Sequence, residues 1–344
     1  METRLVKINN MEDCKKDMEE AGELIKAGEL VAFPTETVYG LGGNGLLPDA
    51  AKKIYAAKGR PSDNPLIVHI ADVNALYDLA KEVPDKALVL AEKFWPGPLT
   101  MILPRKPIVP LRTTGGLETV GVRCPNHPIT RAVIAAADVP IAAPSGNTSG
   151  RPSPTCIADM IEDMDGRIEG MFDGGPCAVG VESTIIDLTC TPPRLLRPGG
   201  LPLEALEAVL GHVDVDKAVV SLLKDGERPK APGMKYRHYA PKAPVTVVTG
   251  DPEASARYIQ THLPEGAGVI CFTEFKALFP GHSIHDLGPA ADKEEQARRV
   301  FDALREFDHE AVTEIYAQCP DTAGLGLAVA NRLKKAAGFH VIEV

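Results

Sequence analysis

The chain has 344 residues, of which 44% are hydrophobic and 24% are charged, and its formal net charge is −10. This composition is that of an ordinary folded protein, and the length favours two domains over a single hydrophobic core. The acidic balance excludes a protein that coats nucleic acid, so any bound anion must meet a local group of cations. The seven cysteines are scattered without metal-ligand spacing, which predicts reduced, mostly buried thiols.

Helical and strand patterns mix in the first part of the chain. Apolar residues at helical spacing predict a helix over residues 12–27 that ends at Gly28. Further helices are predicted at 50–57, 73–80 and 85–94, and strands at 30–33, 66–70, 99–103, 119–123, 140–143 and 184–188. Because helices and strands do not alternate strictly, we expect an α/β fold with a twisted mixed sheet and outer helices.

A change in composition separates this part from the rest. The segment RPKAPGMKYRHYAPK, residues 228–242, holds three prolines, five basic residues and no acidic one. Its proline content predicts an extended linker. We therefore divide the chain into a first domain over residues 1–211, a linker over 212–243 and a second domain over 244–344.

The second domain has a regular rhythm. Strands are predicted at 245–250, 268–272 and 314–318, and helices from 252, over 293–307 and over 325–337. This alternation is typical of a smaller, Rossmann-like α/β domain. The domain carries no catalytic motif, so gating or partner docking is its expected role.

No segment predicts export or membrane insertion. The amino-terminal residues lack an apolar core behind basic residues, and no apolar run approaches the ~18 residues that span a bilayer. We expect a soluble, cytoplasmic protein.

The segment GLGGNG, residues 40–45, has the spacing G-x-G-x-x-G of a dinucleotide-binding turn. Four polar or turn residues at 34–37 separate it from the preceding strand, and the next helix begins only near Asp49. That helix is poorly placed to bind a pyrophosphate at its N-terminus. A flexible turn with glycines at positive φ is therefore the preferred interpretation.

The loop KGRPSDN, residues 58–64, is a better candidate for phosphate binding. Arg60 can form a bidentate pair and Lys58 supplies a point charge, while two prolines stiffen the loop. A solvated basic turn is the alternative. His69 follows inside an apolar strand, and by itself such a histidine is more often a satisfied core residue than a site residue.

The segment APSGNTSGRPS, residues 143–153, places hydroxyls, an amide and two glycines just past a predicted strand. Open α/β sheets bind ligands at such strand ends, and hydroxyls with backbone N–H groups suit phosphate or ribose. A plain serine-rich loop is the alternative. The segments GVEST (180–184) and LRPGG (196–200) again place a hydroxyl or a cation beside a sharp turn.

The sequence lacks the motifs of several other kinds of catalytic or metal site. The sequence has no P-loop, no G-x-S-x-G elbow, no H-E-x-x-H and no paired Cys/His spacing. What remains is a group of cations, hydroxyls and amides, which suits chemistry by positioning and charge stabilisation on a nucleoside triphosphate.

Together the segments resemble one family, the L-threonylcarbamoyladenylate synthases, in its longer two-domain form. The resemblance rests on FPTETVYGLG (33–42), KGRPSDNPLIVHI (58–70), FWPGPLT (94–100), TVGVRCPNHP (119–128), APSGNTSGRPSPT (143–155), GVESTIIDL (180–188), LRPG (196–199) and APGMKYRHYAP (231–241). These segments follow the family's order and span roughly the first 240 residues.

The resemblance implies an activity and a fold. L-Threonine, bicarbonate or CO₂, and ATP would condense to threonylcarbamoyl-AMP with release of pyrophosphate. The product would pass to the tRNA threonylcarbamoyl transferase machinery for N6-threonylcarbamoyladenosine. The fold would be a concave, YrdC-like sheet, a linker that closes over the active site, and a Rossmann-like domain.

The resemblance also implies site residues. The predicted ATP-binding residues are Lys58, Arg60, Asn64, Thr119, Ser145, Ser153, Arg197 and Tyr236, and Lys58 and Arg60 are the predicted catalytic groups. The predicted threonine-binding residues are Thr35, His69, Arg123, Ala143 and Ser183. Tyr239 is the next candidate after Tyr236 to close over the nucleotide. No protein site for a metal is predicted, and Mg²⁺ is expected to arrive with ATP.

Two alternatives come from other functional classes. Related domains have a concave basic surface that could hold double-stranded RNA or tRNA, but the net charge of −10 argues against tight, direct tRNA binding. Carbamoyl-transfer proteins that mature hydrogenases share a related domain. They add acylphosphatase and zinc-finger segments, neither of which this sequence contains.

Overall fold

Two β-sheets organise the protein. The structure, a computed structural model, describes residues 2–221, 227, 229–234 and 238–344. An eleven-stranded sheet of parallel and antiparallel neighbours is followed along the chain by a five-stranded parallel sheet. This confirms the predicted mixed α/β fold with a second, smaller α/β domain. Within the described ranges, every helix is too short or too polar to cross a bilayer.

The large sheet has a mixed strand order that reflects several crossovers. Its strands are β1 (Arg4–Lys7), β2 (Val31–Phe33), β3 (Gly40–Asn44), β4 (Ile67–His69), β5 (Leu99–Pro104), β6 (Thr119–Arg123), β7 (Ile141–Ala142), β8 (Gly170–Asp173), β9 (Thr184–Asp187), β10 (Arg194–Arg197) and β11 (Asp214–Val215). In space they run β1-β8-β2-β3-β7-β4-β6-β5-β9-β10-β11. Strand β11 pairs with β10, although it lies in the range predicted as linker.

Helices cover this sheet and bury its apolar residues. They are α1 (Lys15–Lys26), α2 (Pro48–Lys58), α3 (Leu76–Leu79), α4 (Asp85–Phe94), α5 (Pro128–Ala137), α6 (Ile157–Met164) and α7 (Leu203–Leu210). One core contains α1, α5 and β2, and another contains α3, α4 and the central strands. Helices α1 and α5 meet at Gly22, where a Cβ atom would lie 2.6 Å from the Ala136 backbone.

The glycine-rich segment forms a strand, so the predicted flexible turn was wrong. Residues 40–44 are β3, which pairs antiparallel with β2, and none of its glycines has a positive φ. A Cβ atom on Gly42 would lie 2.4 Å from the Phe33 ring. The glycines are therefore needed for close packing against Phe33, and the segment is not a dinucleotide-binding turn.

The second domain is a parallel sheet with helices. Its strands, in the spatial order β14-β13-β15-β12-β16, are β12 (Val245–Thr249), β13 (Gly268–Cys271), β14 (Ser283–Asp286), β15 (Ile315–Gln318) and β16 (Val341–Glu343). Its helices are α8 (Pro252–His262), α9 (Lys293–Glu306) and α10 (Gly326–Ala336). Buried β-branched residues in the central strands predict such a fully covered parallel sheet.

The two domains share one hydrophobic core. Val38 and Val181 of the first domain pack in the same buried cluster as Val300 and Phe301 of α9. Helix α9 also approaches the first domain at Gly180, where a Cβ atom would lie 2.4 Å from the Cα atom of Arg298. The second domain therefore packs directly against the segment that begins with Gly180.

Candidate active site

Two adjoining cavities lie where β4, β6 and β7 end. The first cavity is lined by Thr35, Val38, Gly40, Arg60, Ile67, His69, Arg123, Ala143, Pro144, Ser145, Glu182, Ser183, Arg197 and Pro232. The second cavity is lined by Lys58, Arg60, Ser145, Asn147, Ser149, Gly150, Glu182, Arg197, Pro232, Gly233, His238 and Tyr239. Five residues line both cavities and form a shared wall: Arg60, Ser145, Glu182, Arg197 and Pro232.

Strand register explains why residues from distant motifs meet in the first cavity. His69 and Arg123 are direct partners on the parallel strands β4 and β6, so they lie on the same face of the sheet. Ala143 follows β7 directly, and Ser183 immediately precedes β9. With Thr35 in the loop after β2, all five residues predicted to bind threonine line this cavity.

Two hydroxyl groups of the first cavity are held by short-range hydrogen bonds. Thr35 Oγ1 donates to the Val38 carbonyl at 2.6 Å and accepts from the backbone N–H of Val38 at 3.2 Å. Ser183 Oγ lies 2.7 Å from Thr100 Oγ1. Thr35, Val38, Thr100 and Ser183 are all buried. Both hydroxyls are therefore oriented before any ligand binds.

His69 is a neutral histidine. Its ring is 3% exposed, and Nδ1 lies 3.2 Å from the Ile67 carbonyl, which can only accept a hydrogen bond. A proton on Nδ1 would satisfy this carbonyl, and in that tautomer Nε2 is an acceptor. Burial, together with the positive charge of Arg123, lowers the pKa of His69 to about 3.

Arg123 is a buried cation with a buried counter-charge. Its Nη2 lies 2.7 Å from Oε1 of Glu36, and its Nε donates to the Gly97 carbonyl at 3.3 Å. Both charged side chains are almost fully removed from water. The pair lacks hydrogen-bond geometry, because Arg123 Nη2 and both Glu36 carboxylate oxygens are buried without a hydrogen-bond partner among the described residues.

Arg197 connects the two cavities to the loop before β9. Its Nε and Nη2 atoms donate to the Ser183 carbonyl at 3.1 and 2.9 Å, and Nη2 also reaches Ser183 Oγ at 3.2 Å. Burial lowers the pKa of Arg197, although the nearby Glu182 carboxylate opposes this effect. The side chain is fixed by a bidentate contact to backbone and keeps its positive charge in the shared wall.

Lys58 ends α2 and points into the second cavity. Gly59 caps the helix at a φ of 62°, and Lys58 Nζ donates to the carbonyls of Ser145 and Asn147. Burial and the charge of Arg60 lower the pKa of Lys58 well below its ordinary value. The Lys58 side chain therefore links the loop of residues 58–64, the candidate for phosphate binding, to the serine-rich loop of residues 143–153.

Arg60 has an open donor. Its Nη2 donates to the Pro65 carbonyl at 3.1 Å, whereas its buried Nε has no hydrogen-bond partner in the described part of the chain. Burial lowers the pKa of Arg60 to about 10, which leaves it charged at neutral pH. A buried N–H group of this kind needs an acceptor, so Arg60 is well suited to an anionic ligand.

Glu182 is the carboxylate of the shared wall, and sequence reasoning did not select it. Oε1 accepts from Ser153 Oγ at 2.7 Å, and Oε2 accepts from Arg332 Nε of α10 at 2.8 Å. Burial raises the pKa of Glu182, but the charges of Arg332 and Arg197 outweigh burial and lower it to about 2. Its neighbour Ser183 was predicted as a site residue, so the segment GVEST was the sequence signal that could have identified Glu182.

The predicted ATP-binding residues divide into two groups. Lys58, Arg60, Ser145 and Arg197 line the cavities. Three others, Asn64, Thr119 and Ser153, are not among the lining residues. Asn64 is buried and its carbonyl lies near Arg60, while Thr119 begins β6. Ser153 donates a hydrogen bond to Glu182, which does line both cavities. Tyr236 lies outside the described residues.

The second cavity also contains aromatic groups from the predicted linker. Tyr239, the second candidate, lines it, and so does His238, which sequence reasoning did not select. Burial and the Glu182 charge raise the pKa of Tyr239 to about 12, and burial with the charge of Arg60 lowers the pKa of His238 to about 3. Both side chains are therefore uncharged at neutral pH.

A larger groove elsewhere on the first domain is chemically different. It is lined mainly by aliphatic residues such as Leu46, Ile134 and Val139, and Asp72, Asp78 and Asp138 outnumber its single lining cation, Lys106. It holds none of the residues predicted for substrate binding. We therefore take the two adjoining cavities, with their four cations, as the candidate active site.

Family models match almost the whole chain. The model of the Sua5, YciO and YrdC proteins, described as "Telomere recombination", matches residues 23–199. A second model, described as "Threonylcarbamoyl-AMP synthase, C-terminal domain", matches residues 201–338. The two matches follow one another along the chain: the first contains β2 to β10 of the large sheet, and the second contains β11 and the strands β12 to β15 of the smaller sheet.

Characterised relatives and solved structures agree with these models. The threonylcarbamoyl-AMP synthase of Bacillus subtilis is 50% identical over 328 residues, which are 94% of each chain. That of Pyrococcus abyssi is 51% identical over 330 residues, 94% of this chain and 95% of the relative. The crystal structure of P. abyssi Sua5 complexed with L-threonine matches with a TM-score of 0.93 at 47% identity and covers 100% of both chains. The chain thus belongs to the two-domain form of the threonylcarbamoyl-AMP synthase family.

Proposed function

We propose that the protein condenses L-threonine, bicarbonate or CO₂, and ATP to L-threonylcarbamoyladenylate and pyrophosphate. The observation that carries this proposal is the shared wall, which joins two adjoining cavities that are each lined by three cationic side chains and by hydroxyl groups. A reaction that links an amino acid to a nucleotide needs two such sites in contact. We further propose that the product passes to the tRNA threonylcarbamoyl transferase machinery for N6-threonylcarbamoyladenosine formation.

We assign L-threonine to the first cavity. The Arg123 guanidinium provides a partner for the carboxylate of the amino acid, and the neutral His69 provides an acceptor for its hydroxyl or amine. The small Ala143 side chain leaves room for a β-branched substrate. The L-threonine named in the solved P. abyssi complex supports this assignment.

We assign ATP to the second cavity and the shared wall. Lys58, Arg60 and Arg197 would neutralise phosphate charge, and the free Nε–H of Arg60 would find its acceptor there. Ser145 would contact the same nucleotide directly, whereas Ser153 would act through Glu182. Tyr239 would lie against the nucleotide from the linker side.

Catalysis of this reaction would depend on how the protein positions the reactants more than on proton transfer by its side chains. The threonine amine attacks CO₂ and loses a proton, which forms a carbamate. A carbamate oxygen attacks the α-phosphorus, the bond from that phosphorus to the bridging oxygen breaks, and pyrophosphate leaves with the electron pair. The protein holds the carbamate in line across the shared wall and stabilises the charge on the phosphates.

We propose that Mg²⁺ enters as MgATP. Magnesium is commonly held by substrate phosphates and water with few protein ligands. Glu182, the carboxylate of the shared wall, already accepts hydrogen bonds from Ser153 and Arg332 on its two oxygens. Within the described ranges, no cluster of three or more His, Cys, Asp or Glu side chains could hold a metal ion.

Pyrophosphate release tests the proposal. The purified chain with ATP, L-threonine and ¹³C-bicarbonate should release pyrophosphate and form a labelled adenylate of the expected mass, and omission of threonine should abolish both. Arg60→Met should lower kcat/KM at least about 100-fold, because a charge-stabilising donor is lost. Arg112→Met, which replaces an exposed arginine of the same domain, is the matched control.

Two results would contradict the proposal. One is pyrophosphate release that does not depend on threonine and bicarbonate. The other is tight RNA retention in a filter-binding assay by a chain that forms no adenylate, which would favour the nucleic-acid-binding alternative instead.

A further inference from the structure

Helix α10 of the second domain brings a buried arginine to the back of the cavities. Arg332 is 0% exposed, and its Nε donates to Oε2 of Glu182 at 2.8 Å. Glu182 lines both cavities, whereas Arg332 is not among the lining residues of either. Arg332 therefore acts on the cavities through residues that line them, and Glu182 is the one to which it donates a hydrogen bond.

Arg332 is itself held in one orientation. Its guanidinium lies over the Tyr239 ring, 5.3 Å from the centroid. Its Nη1 donates to Oδ1 of Asn331 at 2.8 Å, and Asn331 in turn donates to the Val219 carbonyl at 2.8 Å. Such a chain of contacts fixes the direction of the Nε–H group that Glu182 accepts.

Glu182 is held by hydrogen bonds on both of its carboxylate oxygens. Ser153 occupies one carboxylate oxygen and Arg332 the other. The negative charge of Glu182 is compensated by Arg332 behind the wall and by Arg197 within it. Without Arg332, the same buried carboxylate would keep only Arg197 as a compensating cation and would be free to turn towards the cations of the cavities.

We propose that Arg332 is a positioning residue of the active site, which holds Glu182 back so that the cations of the shared wall remain available for the triphosphate. This rests on the proposed function. It gives the second domain a definite role, because α10 supplies a group that the first domain lacks at this place. The role differs from the gating or partner docking expected from the sequence.

Two further contacts fix the same region from the second domain. Helix α9 packs on Gly180, two residues before Glu182, at a distance that only glycine permits. On α10, one turn after Arg332, Lys335 donates to the carbonyl of Gly233, which lines the second cavity. The segment that carries Glu182 and the segment opposite it are thus both held by the second domain.

A double-mutant cycle tests the proposal. Arg332→Met should raise KM for ATP about 10- to 100-fold, the range expected for a hydrogen bond to a charged group, with a smaller effect on kcat. Glu182→Gln in the same chain should bring KM back to within about threefold of wild type, because it removes the negative charge that would compete with the triphosphate for the cations. Arg332→Lys, which keeps the charge, should give an intermediate KM.

Controls separate this role from simple loss of structure. Arg257→Met, which replaces an exposed arginine of α8, should leave KM unchanged. The double variant should fold even if Arg332→Met does not, since it removes the buried carboxylate that has lost its hydrogen-bond donor. Calorimetric titration with a nonhydrolysable ATP analogue reports the same loss and recovery of affinity without catalysis.

The outcomes are distinct. If wild type is active and a folded Arg332→Met keeps its KM for ATP within about twofold, or if Glu182→Gln worsens rather than restores nucleotide binding in that background, the positioning role is wrong and the proposed function stands. If wild type neither binds the analogue nor releases pyrophosphate, the proposed function fails, and this role fails with it.

Discussion

The His69 ring contributes to stability in a way that depends on pH. Its pKa is about 3 in the folded protein against an ordinary value of 6.5. As the pH falls below 6.5, the unfolded chain binds a proton that the folded protein refuses, so the unfolded state is favoured. The effect is absent above about pH 6.5 and grows as the pH falls towards 3.

His69→Gln should therefore reduce the loss in the free energy of unfolding as the pH falls. Between about pH 7.5 and about pH 5, the wild-type free energy of unfolding should fall by about 2 kcal/mol more than that of the variant. Urea unfolding at the two pH values measures this difference. His262→Gln, which replaces an exposed histidine of α8, should retain the wild-type profile. Equal slopes for wild type and His69→Gln would show that the His69 ring takes up its proton in the folded protein.

At the scale of elements, β3 shows how a strand can depend on glycine. Gly42 lies opposite Val31 on β2, and a Cβ atom there would lie 2.4 Å from the Phe33 ring and 2.9 Å from Ile141. Phe33 is fully buried, so it has little space to move. Substitution must therefore displace core side chains.

Gly42→Ala should lower the free energy of unfolding by about 1–3 kcal/mol, the usual cost of overpacking a core. Gly170→Ala is the matched control on β8, because its Cβ atom would meet only the Arg4 carbonyl at 3.5 Å. The control should be neutral or slightly stabilising, since alanine restricts the unfolded chain. If both variants unfold at the same urea concentration, packing at Phe33 is looser than the structure indicates.

Elements with strong local patterns were predictable from the sequence. Helix α4 and strand β6 have the predicted limits, 85–94 and 119–123, because helical periodicity, turn residues and strand alternation all mark them. Strands β1 and β8 were not predicted. They are four residues long and pair with each other across the sheet, so their stability comes from a distant partner and leaves little periodic signal.

At the scale of the whole molecule, a buried ion pair joins α9 to the first domain. Arg305 is 2% exposed and donates to Asp163 of α6 and to the Pro152 carbonyl. Asp163 also accepts from Arg151 at 2.8 Å. Loss of one partner leaves charge buried between the domains without full compensation.

Arg305→Met should lower the free energy of unfolding by about 3 kcal/mol, measured from urea midpoints. Arg299→Met on the same helix removes exposed ion pairs with Glu295 and Asp286 and should cost less than about 1 kcal/mol. Similar losses in the two variants would mean that the Arg305 contacts add nothing beyond an ordinary surface pair.

The candidate site was predictable only where its residues lie in recognisable local motifs. Lys58, Arg60, Arg123 and Arg197 each stand in a short segment of cations, turns and hydroxyls, and the sheet brings these segments together. Arg332 stands in an ordinary helical pattern on α10. Its partner is 150 residues away, and no local pattern encodes such a contact.

The separation of Glu182 and Arg332 has a consequence for protein synthesis. Translation at about 5–20 residues per second places about 8–30 s between the appearance of the two residues. For most of that interval, until residues 293–306 have been made, Val38 and Val181 lack the helix α9 that covers them. We expect the emerging first domain to be a substrate for chaperones, and to gain the Glu182–Arg332 contact only after α10 has left the ribosome.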